Sequence, residues 1–307
     1  MTNPEKIASF GVTTSDLGSL PTDYSTWSGQ QKQDFLWHKR IVPSIYAQEP
    51  PLTKVDILGL IVTRLKIKMD RLTDEAPEKW KKAIHAHGSV AKIKFIANAD
   101  CPFTGLFQGA DYGFLRASLT GDPSAGDFAP GLGVKFLVDG QDSGNFSALV
   151  SLEGQGQNYN FLAHEFSNIV PVVNKLRPKI ANLIFRRVTR YPTKISLKNL
   201  ATIDQLGNRV EAPYYPEQIF LVPTAQIQFA ESPPHDFRDD LATIPSGTVL
   251  FDLYGVEPKE GENRVTNLAE YRQQAVQIGQ IETTSKFVTS DYGDRRLFFR
   301  HQRFHDQ

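Results

Sequence analysis

Between positions 90 and 97 the chain reads Val90-Ala91-Lys92-Ile93-Lys94-Phe95-Ile96-Ala97, and polar and apolar residues alternate at its centre. A period of two marks a half-buried strand. Similar short alternating or apolar runs, broken by Gly, Asp and Pro, follow at 112–119, 133–138 and 147–152, and they predict a β meander. Strands are expected again at 218–222, 225–230, 248–255 and 276–283. Elsewhere the spacing is helical. Over 52–71, Ile57, Leu60, Ile61, the aliphatic stem of Arg64, Leu65 and Met69 recur every three to four positions behind Thr53 as a candidate N-cap. Residues 31–47 predict another helix, 74–80 a short helix start with Pro77 near its beginning, and 160–187 a long helical run interrupted at Pro171 and Pro178. Residues 1–30, rich in Ser, Thr, Gly and Pro, predict an irregular arm. No internal repeat or low-complexity tract is evident. The order of helices, strands, helices and strands describes an α+β protein on an antiparallel barrel: an arm and helices over 1–80, and a barrel domain over 81–307 with helices inserted between its strands.

A chain of 307 residues buries enough surface to fold without disulfides, and its single cysteine, Cys101, permits no intrachain bridge. Lys+Arg and Asp+Glu stand at 34 each, so the basic surface needed by nucleic acid or anionic membranes is not expected. The opening residues Met1-Thr2-Asn3-Pro4-Glu5-Lys6 have no apolar run behind them, and the most apolar stretch, 55–67, is interrupted by Asp56 and Arg64. Neither a signal peptide nor a transmembrane helix is expected, and a cytoplasmic protein is the simplest expectation.

The chemistry-bearing residues gather around the first strand. Lys82-Ala83-Ile84-His85-Ala86-His87-Gly88 runs directly into it and sets an imidazole at its mouth, with Phe95 further along. Next come Arg116-Ala117-Ser118, then Gly131-Leu132-Gly133-Val134-Lys135-Phe136, then Gly144-Asn145-Phe146-Ser147-Ala148. In this order, and over about 82–152, the set resembles the start of the catalase barrel, with a looser echo in the later strands to about residue 283. It looks most like the small, divergent catalase-like proteins that lack the long wrapping segments and C-terminal helical domain of true catalases.

The resemblance implies a haem b cofactor and a hydroperoxide substrate. His85 would be the general acid/base that moves a proton between peroxide oxygens, Ser118 would fix its tautomer, and Asn145 would donate to the peroxide. Arg116 and Lys82 would pair with haem propionates, and Arg300 would belong to the cofactor's proximal side. The proximal side departs from the family, whose iron is held by a tyrosinate in an Arg-x-x-x-Tyr spacing. Laid on that helix, Arg300 takes the arginine position and Phe304 falls on the tyrosine, so haem would need another donor, such as His301 or His305, or would bind weakly or not at all. The same tail also reads as a last barrel strand.

Structural alternatives stand beside each role. His85 reads equally as a hydrogen-bonded structural histidine, Arg116 as a barrel-rim ion pair, Ser118 as a core hydroxyl and Asn145 as the left-handed residue of a turn beside Gly144. A haem-free barrel using its cavity for an apolar ligand is the rival function. Glu153-Gly154-Gln155-Gly156 lacks the third glycine of a dinucleotide loop, and His164-Glu165 lacks the second histidine of a zinc-protease helix. His235-Asp236 with Asp239 and Asp240 predicts an exposed acidic loop, and His85 with His87 a metal pair whose further ligands are not identifiable.

Overall fold

A computed structural model describes residues 21–42, 87–103, 107, 110–119, 130–138, 141–150, 160–167, 216, 218–224, 236–256 and 272–291. Among these, nine strands form one antiparallel sheet: β1 His87–Ala97, β2 Ala110–Leu119, β3 Pro130–Val138, β4 Gln141–Val150, β5 Phe166–Ser167, β6 Gln218–Pro223, β7 Val249–Val256, β8 Val276–Thr283 and β9 Val288–Asp291. Each strand through β8 pairs with the next, and β8 returns to β1. The result is a nearly closed β-barrel, thinnest at the two-residue β5. Closure leaves few open edges.

The alternation seen in the sequence becomes an inside and an outside. Ala91, Ile93 and Phe95 of β1, Leu115, Ala117 and Leu119 of β2, and Leu132, Val134 and Phe136 of β3 belong to one buried cluster that fills the barrel. Phenylalanine is the commonest residue in it. Phe95 lies 5.0 Å from Phe136 and 6.2 Å from Phe107, while Phe161 contacts Phe166 at 5.2 Å and Phe237 at 5.4 Å, centroid to centroid. Phe237 comes from a short helix, α2 (Phe237–Ala242), whose Asp236 N-cap accepts from the Arg238 amide. Gly279 leaves room for this packing, because a Cβ there would stand 2.6 Å from the Phe95 ring and from the Ile96 carbonyl oxygen.

β1 is held differently along its length. Its second half pairs with β8, Ile93 opposite Thr283, and its first half with β9, Val90 opposite Val288. At the break, the Thr284 amide donates to the Lys92 carbonyl and the Lys92 amide donates to Ser285 Oγ, both at 2.9 Å. The seam therefore stays hydrogen-bonded through the change of partner.

On the outside, helix α1 (Gly29–Leu36) begins at a capping box: Ser28 Oγ accepts from the Gln31 amide and the Gln31 side chain accepts from the Ser28 amide. A π turn over Trp37–Ile41 continues it. Leu36, Trp37 and Ile41 pack on Val90 and Phe114, and the Trp37 and Phe114 rings stack 6.2 Å apart at 8°. Gln33 is wholly buried, and its Nε2 donates to the carbonyls of Ile93 (2.7 Å) and Gly113 (2.6 Å), which face each other across β1 and β2. Beside it Asp34 pairs with Lys92.

Several expectations change. The helical run expected from residue 160 is, at its start, a 3-10 turn (Phe161–Ala163) followed by β5, with Asn160 Oδ1 accepting from the Leu162 amide. His164 is consequently buried in extended backbone at the end of that turn rather than on a helix. The acidic loop at 236–240 is the cap and first turn of α2, where acidic groups favour the helix N-terminus. The helix expected over 52–71, the helix start at 74–80 and the strand at 225–230 lie outside the described residues. No described helix is long and apolar enough to cross a membrane.

Candidate functional site on the outer wall

The core fixes which side chains point outward. Because odd positions of β1 and β2 face the barrel interior, Gly88, Val90 and Lys92 of β1 and Phe114, Arg116 and Ser118 of β2 lie on the outer face. In β3 the inward positions are even, which leaves Gly131, Gly133 and Lys135 outside. Register then aligns them in rows across the wall. One row runs Ser290, Gly88, Ser118, Gly131, and the next Val288, Val90, Arg116, Gly133. A third joins Lys92, Phe114, Lys135 and the strand position of Asn145.

Beside the apolar patch of Val90, Phe114 and Val288, this face carries buried polar groups. Arg116 and Lys135 are each 3% exposed, Ser118 5% and Ser290 0%. Two cations at that depth are unusual, since desolvation disfavours the charged form. Arg116 extends diagonally over β1, and a Cβ on Gly88 would come within 2.4–2.9 Å of Nη2, Cζ and Nε of the guanidinium. Glycine at 88 is what lets the planar fork lie flat on the strand. The Ser118 hydroxyl donates to the Gly131 carbonyl at 3.3 Å, at the long end of a hydrogen bond.

Among the candidate residues, Arg116 and Ser118 are thus brought together, two positions apart on one strand and on one face. Both are buried, Arg116 over Gly88 and Ser118 hydrogen-bonded to the Gly131 carbonyl, on the face opposite the barrel interior. Asn145 is paired opposite Lys135 inside β4, and the only positive φ among the described glycines is at Gly247, so a left-handed turn beside Gly144 is not what forms. His85, Lys82, Arg300, His301 and His305 lie outside the described residues. His87 opens β1 half-buried, opposite Leu119 and Asp291, and by alternation belongs with Ser89 on the inner side. Among the described residues no cluster of three or more His, Cys, Asp or Glu could hold a metal ion.

Sequence reasoning missed Ser290, Lys135 and the partnership of Gly88 with Arg116. The signal for Lys135 was present, because Gly131, Gly133 and Lys135 alternate against Leu132, Val134 and Phe136. Ser290 offered none, since four-residue β9 is too short to show a period. Compared with known proteins, the chain matches no family model and no curated protein.

Proposed function

We propose that this chain is a haem-binding, catalase-like barrel protein that acts on a hydroperoxide. The observation that carries this proposal is that Arg116, Ser118 and the strand position of Asn145 share one continuous wall, β1 to β4, at the strand whose N-terminal end is two residues from His85. Their chemistry suits the group. A buried guanidinium beside a glycine floor is a setting for a propionate, which it would bind through charge-assisted bonds. When bound, haem would supply the iron redox chemistry that cleaves the peroxide bond. His85 would carry the proton between the two peroxide oxygens, with the Ser118 hydroxyl accepting from its ring and Asn145 donating to the substrate. Lys82 would complete the contacts to the propionates, and on the proximal side His301 or His305 would stand in for the family's tyrosinate beside Arg300.

Purified protein expressed with a haem supply should show a Soret band near one haem per chain. His85→Ala should retain that band and lose peroxide turnover by about 10²–10⁴, the contribution of a positioned acid/base group. A colourless preparation that takes up no added haemin would refute the proposal. A tail ligand is separately testable: His301→Ala or His305→Ala should release haem or alter its spin state.

A further inference from the structure

Ser89 Oγ is 0% exposed and makes no hydrogen bond. A hydroxyl buried in that way forfeits its bonds to water with nothing in return, so few exist and each calls for a partner. Alternation aims this one into the barrel. Its register partner on β2 is Ala117, a member of the inner cluster, and directly opposed residues of an antiparallel pair share a face. Following the register onward from Ala117 leads to Leu132 of β3 and then Ala148 of β4, both in that cluster. This row is therefore built mostly of small side chains, whereas the rows deeper in the barrel present Leu115 with Val134 and Ile93 with Phe136. On its other side the row reaches water. Thr289 of β9 stands opposite Ser89, one interstrand spacing of about 4.8 Å away, and is exposed.

We propose that the row Ser89, Ala117, Leu132 and Ala148 is a binding site for a small, uncharged, mainly apolar molecule carrying one hydroxyl or carbonyl, entered from the side of Thr289. The Ser89 hydroxyl donates to a carbonyl or accepts from a hydroxyl, and the other three side chains offer apolar contact. A water seated against Ala117 and Ala148 would find one side-chain partner in the row, fewer than the roughly two to four that hold a buried water. An ion would lose its hydration with no opposite charge in the row to replace it. A one-headed apolar molecule meets both demands, because its head pairs the hydroxyl and its body fills the space beside the alanines. The site lies on the opposite face of the wall from Arg116 and Ser118 and asks nothing of haem.

The test uses the full chain with phenol and cyclohexanone as probes and toluene as their apolar counterpart, read by the thermal midpoint and by the alanine methyl resonances of labelled protein. Binding to the folded state raises the midpoint with concentration. Phenol and cyclohexanone should do so and shift the methyl signals of Ala117 and Ala148, with toluene weaker. Ser89→Ala should weaken phenol and cyclohexanone about tenfold, the loss expected for one buried hydrogen bond, and leave toluene unchanged. It should also leave the ligand-free midpoint unchanged or raised, which a hydroxyl with a structural partner would not do. Ala117→Leu should fill the row, abolishing the response to all three probes without lowering the ligand-free midpoint. A lowered midpoint in that variant means that the row is already packed, and the proposal fails. It fails equally if neither phenol nor cyclohexanone binds the parent, if Ser89→Ala binds them as the parent does, or if Ser89→Ala is itself destabilised. Colourless protein that binds phenol through Ser89 leaves this site standing and removes haem alone.

Discussion

The same three strands, β1 to β3, build two opposite faces, and the alternation that places Ile93, Leu115 and Val134 inside places Lys92, Phe114 and Lys135 outside. The inner face is a continuous packing of aliphatic and aromatic side chains, where each ring is held by its neighbours' shape. The outer face mixes glycines, hydroxyls and buried cations under helix α1, where each group is held by a particular contact. Inside, volume sets stability. Outside, polar groups must be matched one by one, so small changes there affect specificity more than fold.

Removing an inner ring should have the largest effect on stability. Phe136→Ala deletes a fully buried side chain tilted against Phe95 and should cost about 3–5 kcal/mol, read as a fall in the denaturant midpoint with an unchanged slope. A cost below about 1 kcal/mol would show that the inner face is loosely filled. Next in size is Gln33→Leu, which deprives two opposed carbonyls of their side-chain donor at similar volume. It should cost about 1–3 kcal/mol and speed hydrogen exchange of β1 amides, whereas unchanged exchange would show that α1 merely rests on the wall.

A smaller effect is expected where the outer face meets solvent. Asp34 is 39% exposed, so Asp34→Asn should cost at most about 1 kcal/mol, and less as salt is added. The smallest effect lies at Cys101, half-buried against the inner cluster, where burial pushes the thiol pKa up and a backbone hydrogen bond with Phe103 offsets only part of that. Its folded pKa therefore exceeds the unfolded one. The stability this contributes is fully present below the unfolded pKa and is lost as pH rises through the folded pKa. Native protein should react with a thiol reagent near pH 8 more slowly than unfolded protein, and equal rates would show that Cys101 is not held against the core.

Much of the inner face could be read from the chain. Strand β8 falls on the expected 276–283, and β1, β2, β6 and β7 differ from expectation by only a few residues, because short alternating or, in β6, continuous apolar runs mark them. β3 and β4 begin earlier than expected, at Pro130 and Gln141, since Gly131 and Gly144 carry no hydropathy signal and are placed by their partners on neighbouring strands. β5 and β9 were invisible for being two and four residues long. Helix α1 starts at Gly29 rather than 31 because of the Ser28-Gln31 capping box, a local signal that the arm's polar composition obscured. Of the site, the shared face of Arg116 and Ser118 follows from their spacing of two. That Arg116 meets Gly88 depends on the register of β1 with β2, and that Ser290 stands beside it depends on β9 returning to β1, and a one-dimensional pattern contains neither.

The change of partner along β1 also has a history in time. Lys92 and Ser285, hydrogen-bonded at the seam, are 193 positions apart. A ribosome adding roughly 5–20 residues per second needs on the order of ten to forty seconds to make that intervening chain. Until then β1 has β2 beside it and a bare edge on its other side. Lys92 and Lys94 lie on the segment that must wait, and charged lysines on an open edge are what discourages a second nascent chain from adding to it. Their replacement by valine should show first as aggregation during synthesis, before any loss in the finished barrel.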